Sequence, residues 1–134
     1  MNEPAKATDS KEAWRVLAVW VLAFQSAAGL AWWIVMALRP DLRSLFVPGP
    51  PEVLWALLVP DMVLFVAAGL LSAFLLSRRS SGAFPVLLMH LGGVVYASLY
   101  TWGLCILYQE AWLGALFMTP PLLITPFLAW KVRP

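Results

Sequence analysis

The sequence predicts an all-α integral membrane protein, a four-helix bundle with both termini in the cytoplasm. Three observations carry this expectation. Four long apolar runs, Leu17–Leu38, Val53–Leu76, Phe84–Tyr108 and Leu113–Trp130, fill most of the chain. A hydrocarbon core about 30 Å thick takes about 20 apolar residues at 1.5 Å per residue, and all four runs are near or above that length. The 134 residues are 62% hydrophobic and 12% charged, with a mean hydropathy of +0.81, whereas a soluble domain carries about 25% charged residues. Finally, the basic residues flank the runs and are concentrated on one side of them. A single membrane domain, 1–134, is expected, with spans at about 15–38, 53–76, 84–108 and 112–130.

The elements follow in order. Met1–Ala13 is polar and of mixed charge, and reads as a short mobile tail. The apolar stretch after it is longer than the 7–15 residues of a signal-peptide core, so it reads as a retained first span. Arg39-Pro40-Asp41 ends that span, because proline cannot continue the helical ladder. Pro48-Gly49-Pro50-Pro51 is a turn signal in the connection Asp41–Glu52. Ser77–Gly82 makes a tight polar link between spans 2 and 3, and Gln109-Glu110 a shorter one between spans 3 and 4.

Orientation follows from charge. Lys6, Lys11, Arg15, Arg78, Arg79, Lys131 and Arg133 fall on one side, and only Arg39 and Arg43 on the other. The excess of basic residues marks the cytoplasmic side. Such a bias also argues against small multidrug transporters that insert in both orientations. Trp32, Trp33, Trp55, Trp102 and Trp112 near the outer ends, with Trp14 and Trp130 at the inner ends, fit two interfacial belts. Trp20 sits deeper.

Other function classes are excluded or disfavoured. Cys105 is the only cysteine, so no intramolecular disulfide or paired-thiol quinone-reductase chemistry is available. The net charge of +2 belongs to the membrane flanks and does not point to nucleic acid. The single His belongs to no metal-ligand pattern, so no metal is expected. No cofactor is expected, because no nucleotide-binding glycine loop or nucleophile elbow occurs.

The polar residues within the spans are the candidate site: Asp61, His90, Tyr100, Thr101 and Gln25. Asp61 follows Pro60 about 12 Å into span 2. A carboxylate at that depth costs about 3 kcal/mol or more, which makes an ion or proton path one reading. The slightly preferred reading is an N-cap or another structural polar contact; as a cap, Pro60-Asp61 would end a short interfacial helix and the Asp oxygen would accept an orphan N–H. His90 heads a stripe of small and polar residues on span 3, Gly93, Ala97, Thr101 and Tyr108, with Tyr100 beside it. Such a stripe faces other helices, so span 3 is expected at the centre of the bundle. For a lone His, an interhelical hydrogen bond is preferred over a relay. Direct contact between Asp61 and His90 is not expected, because their heights differ by roughly 9 Å in a core of about 30 Å. Gln25, Ser26 and Gly29 form a weaker polar patch on span 1. Pro120, Pro121 and Pro126 are expected to break span 4 at a fixed kink, with Thr119 and Thr125 serving some freed carbonyls.

Several segments carry a family resemblance. These are Trp112-Leu113-Gly114-Ala115-Leu116 through Thr119-Pro120 to Leu128-Ala129-Trp130, the segment His90–Tyr100, and Pro60-Asp61. Together they resemble the four-helix membrane segment that precedes the catalytic part in some bacterial isoprenylcysteine carboxyl methyltransferase-like proteins. The resemblance spans nearly the whole chain. The cofactor-binding region of such a protein would begin after Trp130, so no catalytic residue carries over. The resemblance therefore implies a membrane module without methyltransferase activity, and a bacterial inner membrane.

Two functions are expected. The favoured one is a non-catalytic accessory, scaffold or partner-binding module in the lipid bilayer, pairing with a protein partner or a second copy through span 3. The alternative is a small-molecule or ion binder or transporter using an intramembrane polar site around Asp61 and His90. Half of a split membrane enzyme is a weaker third.

Overall fold

The computed structural model describes the backbone of residues 3–134 and the side chains from residue 10 onward. Lys6, which enters the charge count, has its side chain outside that range. Helix α1 runs Glu3–Leu38. The polar segment read as a tail is thus helical from Glu3. Its alanines, glutamates and lysines are strong helix formers, and Pro4 falls in the first turn, where a missing N–H costs nothing.

After α1 come a 3-10 turn, Pro40–Leu42, and a short helix α2, Arg43–Phe46. Arg43 Nε donates to Met36 O at 2.7 Å and so serves a carbonyl in the last turn of α1. Arg39 pairs with Asp41 at 2.7 Å, and this hydrogen bond holds the Asp41 carboxyl below its usual range. Gly49 turns the chain with φ 89. Pro51 then starts α3, Pro51–Pro60, at a position where proline suits a helix start.

The second span continues without a break through a π-helical turn, Asp61–Ala67, into α4, Ala68–Ser77. A turn with Arg79 at φ 54 leads to α5, Ala83–Tyr108. Gln109 and Ala111, at φ 57 and 58, reverse the chain into α6, Trp112–Val132. The described residues contain no strand. Four helices are long and apolar enough to cross a membrane, Ser10–Leu38, Pro51–Ser77, Ala83–Tyr108 and Trp112–Val132. The protein is an all-α, multi-pass four-helix bundle, and the predicted spans agree with these to within a few residues apart from the early start of α1.

Helix α6 stays helical through Pro120, Pro121 and Pro126, so span 4 is not interrupted at the prolines. Thr119 Oγ1 donates to Ala115 O at 2.9 Å beside the first prolines.

The core has an apolar cluster at each end, and between them buried polar side chains beside a smaller apolar cluster of Phe65, Val66 and Val94. At one end Ala18, Leu22, Leu76, Leu87 and Leu128 pack together. At the other, Trp33, Met36, Leu54 and Leu57 do so. Trp20, Phe24 and Leu107 are more than 70% exposed and face outward, as lipid-facing side chains do. Helix α5 packs closely on the second span: a Cβ on Gly93 would lie 2.6 Å from Leu64 Cβ, so the two backbones meet there. The buried face of α5 is broader than the small-residue stripe predicts. Val94 and Ser98 are fully buried, whereas Tyr108 is exposed.

Candidate functional site

Six polar side chains are buried within the spans: Gln25, Ser26, Ser72, His90, Ser98 and Thr125. Gln25, His90 and Thr125 form one cluster that joins three helices. His90 on α5 is fully buried. Its Nδ1 lies 3.2 Å from Leu64 O in the π-helical turn, and its Nε2 lies 3.4 Å from Oε1 of Gln25 on α1. Thr125 Oγ1 on α6 lies 3.1 Å from the same Gln25 oxygen. The Phe65 ring meets the imidazole edge-on at 5.5 Å.

The π-helical turn supplies the acceptor. Ala68 N–H donates to Val63 O, five residues back. Returning from five-residue to four-residue spacing leaves a carbonyl without its ladder partner. The carbonyl next to Val63 is that of Leu64, and it faces His90. Phe65 O receives Ser26 Oγ at 3.5 Å. Pro60, which has no N–H to give, directly precedes the widened turn. Glycine keeps the layer tight: a Cβ on Gly69 would overlap Ser26 Oγ and lie 2.9 Å from His90 Cε1.

A carbonyl only accepts, so His90 Nδ1 carries a proton. Two proton inventories then satisfy the cluster. In a neutral ring Nε2 accepts, which requires the Gln25 amide turned so that its NH₂ faces Nε2 and Thr125 Oγ1. In a doubly protonated ring Nε2 donates to Gln25 Oε1. An uncompensated cation in this layer is costly, and no carboxylate bonds to the ring, so the neutral form with the turned amide is the better-satisfied one. No buried side-chain polar atom among the described residues lacks a partner.

The other predicted site residues lie elsewhere. Asp61 is not an N-cap: its backbone is in the right-handed helical region, and no side-chain capping bond forms. The helix never breaks at Pro60, so there are no orphan N–H groups for Asp61 to cap. Its carboxyl faces the Trp33 indole instead. Gln25 and Trp33 are eight residues apart on α1, about 12 Å along its axis. On the second span Asp61 lies three residues, about 4.5 Å, from Leu64, and no hydrogen bond joins it to His90. Tyr100 packs on the Trp33–Leu54 cluster and stacks with Tyr96 at 5.9 Å. Thr101 Oγ1 donates to Ala97 O at 2.8 Å, within its own helix. Of the five candidates, only Gln25 and His90 come together.

Three participants were not marked as site residues by the sequence. Thr125 was assigned to freed carbonyls, and the carbonyl of Leu64 carries no sequence signal. Gly69 reads as one more small residue. A buried Thr on the span opposite a Gln was the one usable clue. Cys105 is buried, as a small apolar residue would be. Among the described residues no group of His, Cys, Asp or Glu suits a metal ion. No protein-family model matches the chain, and neither a curated protein nor a solved structure does.

Proposed function

We propose that this protein is a non-catalytic membrane module, an accessory or partner-binding subunit, whose buried polar cluster fastens its own helices together. The observation that carries this reading is the closed state of the cluster. His90 is fully buried, its two ring nitrogens and one end of the Gln25 amide are engaged, and Gly69 leaves no space beside the ring. A site that takes a ligand or passes an ion needs polar groups free to exchange partners, and here the imidazole and the Thr125 hydroxyl are already bonded, which leaves only the second end of the Gln25 amide.

With the interior occupied, a partner meets the outside of the bundle. The outward face of α5 carries Leu88, Tyr96, Leu99, Ile106 and Leu107, all exposed. Nothing lies within 4 Å of a Cβ at Gly92 or Gly103 on the same helix. Glycines on an exposed face let another backbone approach closely, which suits a protein partner or a second copy. The resemblance to a membrane segment without its catalytic part agrees with this, and with a bacterial inner membrane. The binder or transporter reading rests on the π-helical turn, since such turns are frequent at functional sites.

A photo-crosslinking residue at Leu99 or Gly103 tests the proposal in native membranes, with exposed Leu70 on α4 as the control position. An adduct from α5 and none from α4 is expected. If neither position gives one, and the purified protein moves protons or cations into vesicles in a manner lost in His90→Ala, the transporter reading replaces this one.

A further inference from the structure

The Lys/Arg-rich end of the bundle holds a cleft that the interior cluster does not explain. We propose that it binds a phosphate-bearing anion, either the headgroup of an anionic phospholipid or a soluble phosphate. The cavity has a volume of about 310 Å³, and its lining includes Lys11, Glu12, Arg15, Arg79, Lys131 and Arg133. That volume reaches the lower end of the range for small-molecule pockets, about 300 Å³ upward. Three separate parts of the chain supply the cations: the start of α1, the turn after α4 and the end of α6.

Five cations, Lys11, Arg15, Arg79, Lys131 and Arg133, share the lining with Glu12 and with Pro134, which carries the terminal carboxylate, so positive charge is in excess. Glu12 pairs with Arg15, and with Arg79 at 3.1 Å. Arg15 also donates to Leu76 O at 2.6 Å. These bonds fix one wall. Lys131 and Arg133 are held differently. Lys131 Nζ lies 4.5 Å from the Trp130 ring centre, 5.2 Å from Trp14 and 5.4 Å from Phe127. The Arg133 guanidinium lies 5.7 Å from Trp130. Aromatic faces orient a cation without cancelling its charge. No ion pair among the described residues uses Lys131 or Arg133, so both charges remain for an incoming anion. Guanidinium and ammonium groups together suit phosphate oxygens. Trp14 and Trp130 belong to the interfacial belt, so the cleft lies at headgroup height. Basic pockets between spans at that height bind anionic headgroups.

The test uses the purified full chain in a zwitterionic detergent and follows Tm. The probes are short-chain phosphatidylglycerol, short-chain phosphatidylcholine and inorganic phosphate. At about a hundred-fold excess over Kd, phosphatidylglycerol is expected to raise Tm by about 5 °C or more, and phosphatidylcholine not to. The Lys131→Gln/Arg133→Gln variant should lose the shift, Lys131→Arg should keep it, and Arg39→Gln at the opposite end should keep it. If inorganic phosphate reproduces the shift, the source is a soluble anion. If only the lipid does, the source is the membrane. Should the double variant misfold, the Lys131→Gln and Arg133→Gln single variants are expected each to weaken the shift. The proposal is overturned if no anionic probe raises Tm, or if the shift is the same in folded variants lacking these charges.

Discussion

Thr125 Oγ1 and the side-chain amide of Gln25 lie 3.1 Å apart, although a hundred residues separate them in sequence. This bond ties the last span to the first. With His90 it makes a belt of hydrogen bonds around the middle of the bundle, where the apolar clusters at either end give way. Interhelical hydrogen bonds in lipid are worth about 0.6 kcal/mol on average and up to about 1.7 kcal/mol. A belt of several is a moderate contribution, and its larger effect is on register: the four spans satisfy it in one alignment.

Thr125→Val keeps the shape and removes the hydroxyl. It should lower unfolding free energy by about 1 kcal/mol in mixed-micelle titrations, and Thr125→Ser should recover most of that loss. Equal stability of Thr125→Val and the parent would mean that α6 is not fastened through Gln25.

Glycines divide into two groups. Gly69→Ala drives a methyl group into Ser26 and His90, so a loss of about 1–3 kcal/mol is expected. Gly93→Leu should be worse, because Leu64 already occupies that space. Gly92→Ala and Gly103→Ala meet nothing, and should be neutral or slightly stabilising through helix propensity. Helical spacing alone suggests Val94 as the tolerant control. Val94 is fully buried, so Gly92 takes that role. Thermal unfolding of the four variants in one detergent decides the order.

Asp61 faces Trp33 within an unbroken helix and caps nothing. Asp61→Asn keeps an oxygen acceptor and removes a charge whose burial is unfavourable. Its unfolding free energy should stay within about 1 kcal/mol of the parent, with any change toward greater stability. A much larger loss in the same titration would show that an ionised carboxylate is required there.

Charge bias gives a topological expectation. A reporter fused after Pro134 should be cytoplasmic, and one placed in the Pro48–Pro51 loop should be external, because basic residues concentrate at the other ends of the spans. The reverse result would show that the bias does not orient this protein.

The spans were legible because lipid imposes a single rule: about 20 apolar residues, ended by Arg-Pro-Asp, Ser-Arg-Arg-Ser or Gln-Glu. The close seat of α5 on the second span was legible for a related reason, since Gly93 lets the Leu64 backbone approach. The sequence misled at the prolines. Pro60 and Pro120 suggest breaks, yet the helix runs through each, since a proline removes one N–H and the rest of the ladder persists. The polar cluster was half legible. His90 and Gln25 stand out as polar residues in apolar runs, but the Leu64 carbonyl becomes an acceptor only through backbone geometry. Asp61 drew more weight than His90 because a charge in a span is conspicuous, while its actual neighbour is one indole.

The chain contains one histidine, so histidine labelled with nitrogen-15 gives the ring signals of His90 alone. Nitrogen NMR of the protein in bilayers tests most directly whether the cluster is a closed helix contact. The expected result is a neutral ring protonated at Nδ1, with that proton exchanging slowly with water and the signals unchanged from pH 5 to 8. A ring that titrates within this range, or whose proton exchanges rapidly with water, would contradict it and identify His90 as part of a hydrated path.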